Sequence, residues 1–367
     1  MKITDLSPAE RIVQNRRNFI KTFTVGSVAL TTGLSRPRLL TAAPVPTFRE
    51  RSRVAITSGT DRRKMVQEVM EPFRDVIRQG IRGKRIIIKP NIVETVYPLC
   101  APHVDGCRGV LDFLKTITDD QITIGESSAS NAGTFDGFKN YDYMPLEKEY
   151  GVKFMDMNLE PPVDFMIIDN DLHPLKIQVC GPYLDPNNYI ISLCRLKTHN
   201  VALVTLGAKN IAMSAPYKRV AANSPNPVNW KQRMHGRGPH WLNYNMYQIL
   251  RSIQPQFSVI ESVVGLQGNG PHRDGFEMEH GVALAGDDFI AVDSIGAQLM
   301  GVAKEDVALI NYCETTGIGI ADRSRIDIVG GRDPQRYVKK YQLHDRAAWM
   351  LTWKDELPIQ STTSQGR

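Results

Sequence analysis

Lys89, Glu126, Lys197, His199 and His240 are the side chains with the means to move protons or hold charge in this sequence. Each of the first three sits at, or just past, the end of an apolar run. Lys89 closes Arg85-Ile86-Ile87-Ile88. Glu126 follows Ile122-Thr123-Ile124-Gly125. Lys197-Thr198-His199 follows Tyr189-Ile190-Ile191-Ser192-Leu193-Cys194. A lysine at the mouth of a buried strand holds an anion or, once desolvated, acts as a base. Lysine and histidine close together suit an acidic substrate and proton transfer. Asn91, Ser127, Thr198, Lys209 and Asn210 supply further donors near the same points, and Gly268, Asn269 and Gly270 form a loop that lets backbone approach a ligand closely. Taken singly, each residue also reads as an ordinary loop side chain, a strand cap or a turn. Their common position after apolar runs argues for one crevice.

A divalent metal is a second chemistry these residue types admit, with Glu126, His235, His240 and Asp293 as the ligand set. His235 and His240 lack the i, i+4 spacing of a helical zinc pair. The five cysteines, Cys100, Cys107, Cys180, Cys194 and Cys313, contain no C-x-x-C, which excludes ferredoxin-type iron–sulfur spacing. Cys100 and Cys107 read either as a disulfide pair in an oxidising compartment or, with the others, as small buried hydrophobes.

The elements that must carry these residues are short β-branched runs alternating with helical segments. The predicted strands lie at 54–57, 85–89, 121–125, 152–155, 164–169, 189–194, 257–261 and 326–329. Helices are predicted near 62–79, 107–117, 241–253 and 289–300. This alternation predicts an α/β fold, a mostly parallel sheet flanked by helices. In such sheets ligands bind outside the carboxyl ends of the strands. Residues 214–240, rich in Pro, Asn, Arg and Gly with two histidines, are too long for a structural connection and read as a functional insertion.

At 367 residues, 42% hydrophobic and 23% charged, the chain has a globular composition. Residues 1–43 hold seven Lys and Arg against two acidic residues, so +5 of the +6 net charge lies there. The near-neutral remainder has no general footprint for nucleic acid. The segment Asn15-Arg16-Arg17-Asn18-Phe19-Ile20-Lys21, with the short apolar run Phe23–Leu34, resembles a twin-arginine export signal. That resemblance implies export to the periplasm, with the twin-arginine translocase as a partner. The apolar run is too short to span a bilayer. The expected layout is a leader over 1–43, a linker over 44–53, one α/β domain over 54–340 and a C-terminal extension over 341–367 with a disordered end.

Six short motifs in order resemble the bacterial and archaeal family called domain of unknown function 362. They are Ile88-Lys89-Pro90-Asn91, Gly125-Glu126-Ser127, Leu196-Lys197-Thr198-His199, Gly207-Ala208-Lys209-Asn210, Gln267-Gly268-Asn269-Gly270-Pro271, and Ala285-Gly286-Asp287-Asp288 with Ala291-Val292-Asp293. Pro102-His103 and Gly317-Ile318-Gly319 fit the same pattern, and the resemblance spans about residues 54–331. It implies no established activity. Some members carry an iron–sulfur segment, whose cysteine spacing is absent here. The sequence thus favours an enzyme acting on a small anionic ligand, metal-assisted or not. The competing readings are a non-catalytic periplasmic anion- or cofactor-binding protein and an accessory partner of a membrane redox complex.

Overall fold

The computed structural model describes residues 49–219, 227–330 and 333–355. Residues 1–48, where the leader and most of the linker are expected, and the end of the expected C-terminal extension lie outside the described residues. The strands in chain order are β1 (Ser52–Ser58), β2 (Arg85–Pro90), β3 (Ile122–Glu126), β4 (Lys153–Asp156), β5 (Pro162–Ile168), β6 (Pro174–Cys180), β7 (Asn188–Cys194), β8 (Lys197–Thr198), β9 (Val204–Thr205), β10 (Lys218–Arg219), β11 (Val228–Asn229), β12 (Phe257–Gly268), β13 (Gly275–Gly286) and β14 (Ile326–Val329).

Eight of these form the main path of one sheet in the order β14-β1-β13-β12-β7-β2-β3-β4, with β8 and β9 attached beside β12. β12, β7, β2, β3 and β4 pair in parallel, as do β1 and β14, while β13 runs antiparallel to both its neighbours. The fold is α/β with a mostly parallel sheet.

Alternation along the strands sends side chains to two cores. Ile86 and Ile88 of β2 face one way and join Ile191, Leu193 and Val259, under the helices Arg62–Met70 and Val104–Lys115. Ile87 faces the other way and joins Ile190, Cys194 and Ile260, under the helices Gly207–Ala212, Pro239–Leu250 and Phe289–Leu299. A strand buried on both faces must read as a near-continuous apolar run, and Ile86-Ile87-Ile88 does so.

The chain passes from β2 to β3 and β4 on one side, then returns to place β7 on the other side of β2. The strand order therefore reverses between β2 and β7. In open α/β sheets the helices on either side of such a reversal diverge and leave a crevice at the carboxyl ends. Lys89, Asn91 and Glu126 stand at the ends of β2 and β3, and Lys197 lies just past the end of β7.

The structure adds elements that periodicity left out. β6 and β13 were not among the expected strands, and β12 continues to Gly268 rather than stopping at Glu261. The long β12–β13 pair is interrupted by a register shift between Ser262 and Val264. A bulge of this kind breaks strict alternation, which conceals the strand from a period-2 reading. The predicted helix at 62–79 divides into Arg62–Met70 and Arg74–Ile81, separated by a short 3-10 turn with Pro72 near its start.

Candidate functional site

A cavity of about 550 Å3 opens at the β2/β7 reversal. Its walls include Lys89, Asn91, Glu126, Ser127, His199, Lys209, Asn210 and His235. β2 and β3 deliver Lys89 and Glu126, the Gly207–Ala212 helix delivers Lys209 and Asn210, and the 214–240 insertion delivers Lys231 and His235.

Lys89 and Glu126 form the floor. The Lys89 Nζ donates to Glu126 Oε2 at 2.9 Å, to Asn210 Oδ1 at 2.5 Å and to the Asn210 carbonyl at 3.1 Å. Glu126 accepts three more bonds: from the Ile92 and Ser127 backbone N–H groups and from Ser214 Oγ, each at 2.6 Å. Both side chains are almost fully buried. Burial pulls the Lys89 ammonium below its usual pKa, and Glu126 opposes that shift. A buried pair with this many bonds is a fixed structural element. Asn210 completes the floor by donating to Ser192 Oγ at 2.9 Å and the Lys89 carbonyl at 3.1 Å.

Lys197 and Lys231 are also buried and committed. Lys197 donates to Asn91 Oδ1 and, at 2.7 Å, to the Cys100 carbonyl. It stands behind the cavity wall and orients Asn91, which is on the wall. Lys231 donates to the Ser214 carbonyl at 2.7 Å and the Met213 carbonyl at 3.2 Å. Burial lowers each ammonium to about 8.

Lys209 is different. It is only 8% exposed and lines the cavity. Among the described residues its ammonium has no hydrogen-bond acceptor, whereas the three neighbouring lysines have two or more each. Burial first, and then repulsion from Lys197 and Lys89, push its pKa down to about 7. An amine in this state gives up its proton far more readily than an ordinary lysine, and so is able to accept a proton or attack an electrophile.

Three histidines line the cavity with it. His199 Nδ1 accepts the Val201 and Ala202 backbone N–H groups at 3.0 Å each. Its proton is therefore assigned to Nε2. Burial and the Lys209 charge hold His199 well below the usual imidazole range. His235 is pushed down to about 4 by burial and by Lys209. His272 is lowered by burial as well, and its Nδ1 stands 3.8 Å from Glu94 Oε2. These imidazoles are neutral at pH 7 and act as donors or weak bases rather than cations.

Several expected residues have other tasks. Asp293 accepts the Gly207 and Ala208 N–H groups at 2.8 Å and so caps the helix that carries Lys209. His240 is outside the cavity wall, with its Nε2 3.0 Å from the Asp355 carbonyl oxygen. Glu126, His235, His240 and Asp293 therefore do not converge on one point. Among the described residues no group of three or more His, Cys, Asp or Glu side chains is arranged to hold a metal ion. Thr198 Oγ1 donates to the Gly268 carbonyl at 2.9 Å, and Gly268, Asn269 and Gly270 do not line the cavity. A Cβ on Gly270 would stand 2.6 Å from the Thr198 carbonyl, so the glycine is required for packing of the loop against β8. Asn269 donates to Asp345 at 2.9 Å. The Cys100–Cys107 pairing gives way to its alternative: all five cysteines are buried free thiols.

Lys231, His272, Ser214, Asn131 and Asn229 line the cavity as well. Lys231 belongs to the 214–240 segment, whose excess of polar residues was its signal in the sequence. His272 follows the glycine loop directly and was the neighbour of residues already singled out.

The family described as domain of unknown function (DUF362) matches residues 86–298, and the chain belongs to it. The matched span contains every cavity residue named above. A relative from Synechocystis sp., named as a thylakoid-associated protein, is 26% identical over 260 residues, covering 69% of this chain and 74% of its own. A crystal structure of a Thermotoga maritima protein aligns at a TM-score of 0.36 with 10% identity, over 71% of this chain and 60% of that one.

Proposed function

We propose that the protein is an enzyme that binds a small anionic substrate in the cavity and moves a proton with Lys209. The carrying observation is the Lys209 amine: buried, without an acceptor among the described residues, and sharing the cavity with neutral histidines and other lysines. Lys89 is neutralised by Glu126, but among the described residues Lys209 and Lys231 have no carboxylate bonded to them, so the site favours an anion. The His199 Nε2–H would donate to an oxygen on which negative charge develops. His235, neutral at pH 7, would receive or return a proton. Export by the twin-arginine route belongs to the same proposal and rests on Arg16-Arg17 and the run after them.

The test is proton NMR in D2O with a panel of small carboxylates and phosphate esters that carry a C–H beside the acid or a carbonyl. The wild-type protein is expected to exchange that hydrogen for deuterium in at least one compound, and Lys209→Met to abolish the exchange. Anion binding by the wild type with no exchange in any compound would support the non-catalytic binding reading instead.

A further inference from the structure

We propose that Lys209 forms an imine with a small anionic carbonyl compound, using the cavity's other donors to hold the carboxylate or phosphate. This inference rests on the anion-site reading above, and gives Lys209 a covalent role in place of direct proton transfer, with the proton passing to His235.

The geometry separates Lys209 from every other lysine in the site. Imine formation needs a lone pair on nitrogen and a nitrogen free to approach carbon. Lys89 is held by Glu126 and Asn210, Lys197 by Asn91 and Cys100, and Lys231 by two backbone carbonyls. Among the described residues Lys209 is bound to none, although it is buried and lines the cavity. Its helix is fixed by the Asp293 cap, and Asn210, the next residue, is locked into the floor. The amine is thus presented from a rigid base. Lys89 and Lys197 lie close enough to repel its charged form, an arrangement that favours the neutral nucleophile.

The step balances without an outside reagent. The Lys209 nitrogen lone pair attacks the carbonyl carbon, and the carbonyl π pair moves to oxygen. Proton transfer gives a carbinolamine. Its oxygen leaves with the two amine hydrogens as water, and a C=N bond replaces C=O. His199 lines the cavity with its proton assigned to Nε2, and that N–H would stabilise the developing oxyanion. Protonated, the imine withdraws electrons from the adjacent carbon, where His235 would take up the released proton. The anionic handle supplies selectivity, since a neutral ketone would gain nothing from Lys231 or the polar side chains around it.

The experiment incubates the wild-type protein with pyruvate, dihydroxyacetone phosphate or acetone, each with sodium borohydride, followed by intact-mass and peptide mass spectrometry. Melting temperature is recorded with the same compounds without reductant. The expected result is a stable secondary amine on the Lys209 peptide with pyruvate or dihydroxyacetone phosphate, at least tenfold above the acetone sample. Whichever of the two labels Lys209 identifies carboxylate or phosphate as the handle. Peptide mapping reads the wild type, so the result does not depend on whether Lys209→Met folds. Labelling spread over exposed lysines, or none, overturns the imine. If the anions still raise the melting temperature in that case, the anion site survives the loss of the imine. If they do not, both readings fall.

Discussion

Lys209 is the residue on which the chemistry turns, and its state has a measurable cost. An unfolded chain would protonate this lysine up to a pKa near 10.5, while the folded protein holds it neutral above about 7. Between those values the unfolded state binds more protons, so this group makes folding more favourable as pH rises. The slope from one such group is about 1.4 kcal/mol per pH unit. Lys209→Met is therefore expected to melt higher than wild type at pH 7 and to lose this part of the slope between pH about 7 and 10. Urea titrations at several pH values measure it; an unchanged slope in the variant would show that Lys209 is an ordinary solvated lysine. The sequence placed Lys209 among anion holders because Gly-Ala-Lys-Asn follows a cluster of polar residues, but it did not distinguish Lys209 from Lys89 or Lys197. That distinction depends on which ammonium groups find acceptors. Lys89 meets Glu126 across 37 positions and Asn210 across 121, and such pairings are set by tertiary packing.

At the scale of elements, the strands were legible because a strand buried on both faces has to be apolar throughout. β2, β3 and β7 appear in the sequence close to their true bounds, and their ends mark the crevice. β13 was hidden by its charged first half, Phe276-Glu277-Met278-Glu279-His280, which runs past the sheet's core. The Gly207–Ala212 helix was hidden by its brevity. Asp293 stands in the metal-ligand set offered by the sequence, and a carboxylate in an apolar helix needs a partner once buried. The partner is the backbone at the start of the Lys209 helix, and burial pushes the carboxyl up to about 7. Asp293→Ala is expected to cost about 1–2 kcal/mol for the lost cap, and more if the helix shifts. The same change should disturb Lys209, so D2O exchange should fall with stability, whereas Asp293→Asn keeps one acceptor and should retain part of both. Exchange unaffected by Asp293→Ala would separate the cap from the site. Gly207 adds a further constraint, since a Cβ there would lie 2.3 Å from Ser258 Oγ.

For the molecule as a whole, one sheet with a reversed strand order explains why residues as distant in sequence as Lys89 and Lys231 share a cavity. No helix among the described residues is long and apolar enough to cross a membrane. The proposed export depends on the leader alone, so Arg16→Lys combined with Arg17→Lys should leave the protein in the cytoplasm of its host, as read by cell fractionation and immunoblotting. Periplasmic recovery of that double variant would contradict twin-arginine export. The central claim, an unbonded Lys209 amine of lowered pKa lining an anion-receptive cavity, is tested most directly by competitive acetylation across pH with peptide mass spectrometry, with and without phosphate. The account predicts that Lys209 becomes reactive with a midpoint near pH 7, well below the exposed lysines, and that phosphate suppresses its labelling selectively. A Lys209 midpoint with the exposed lysines, or labelling indifferent to phosphate, would contradict it.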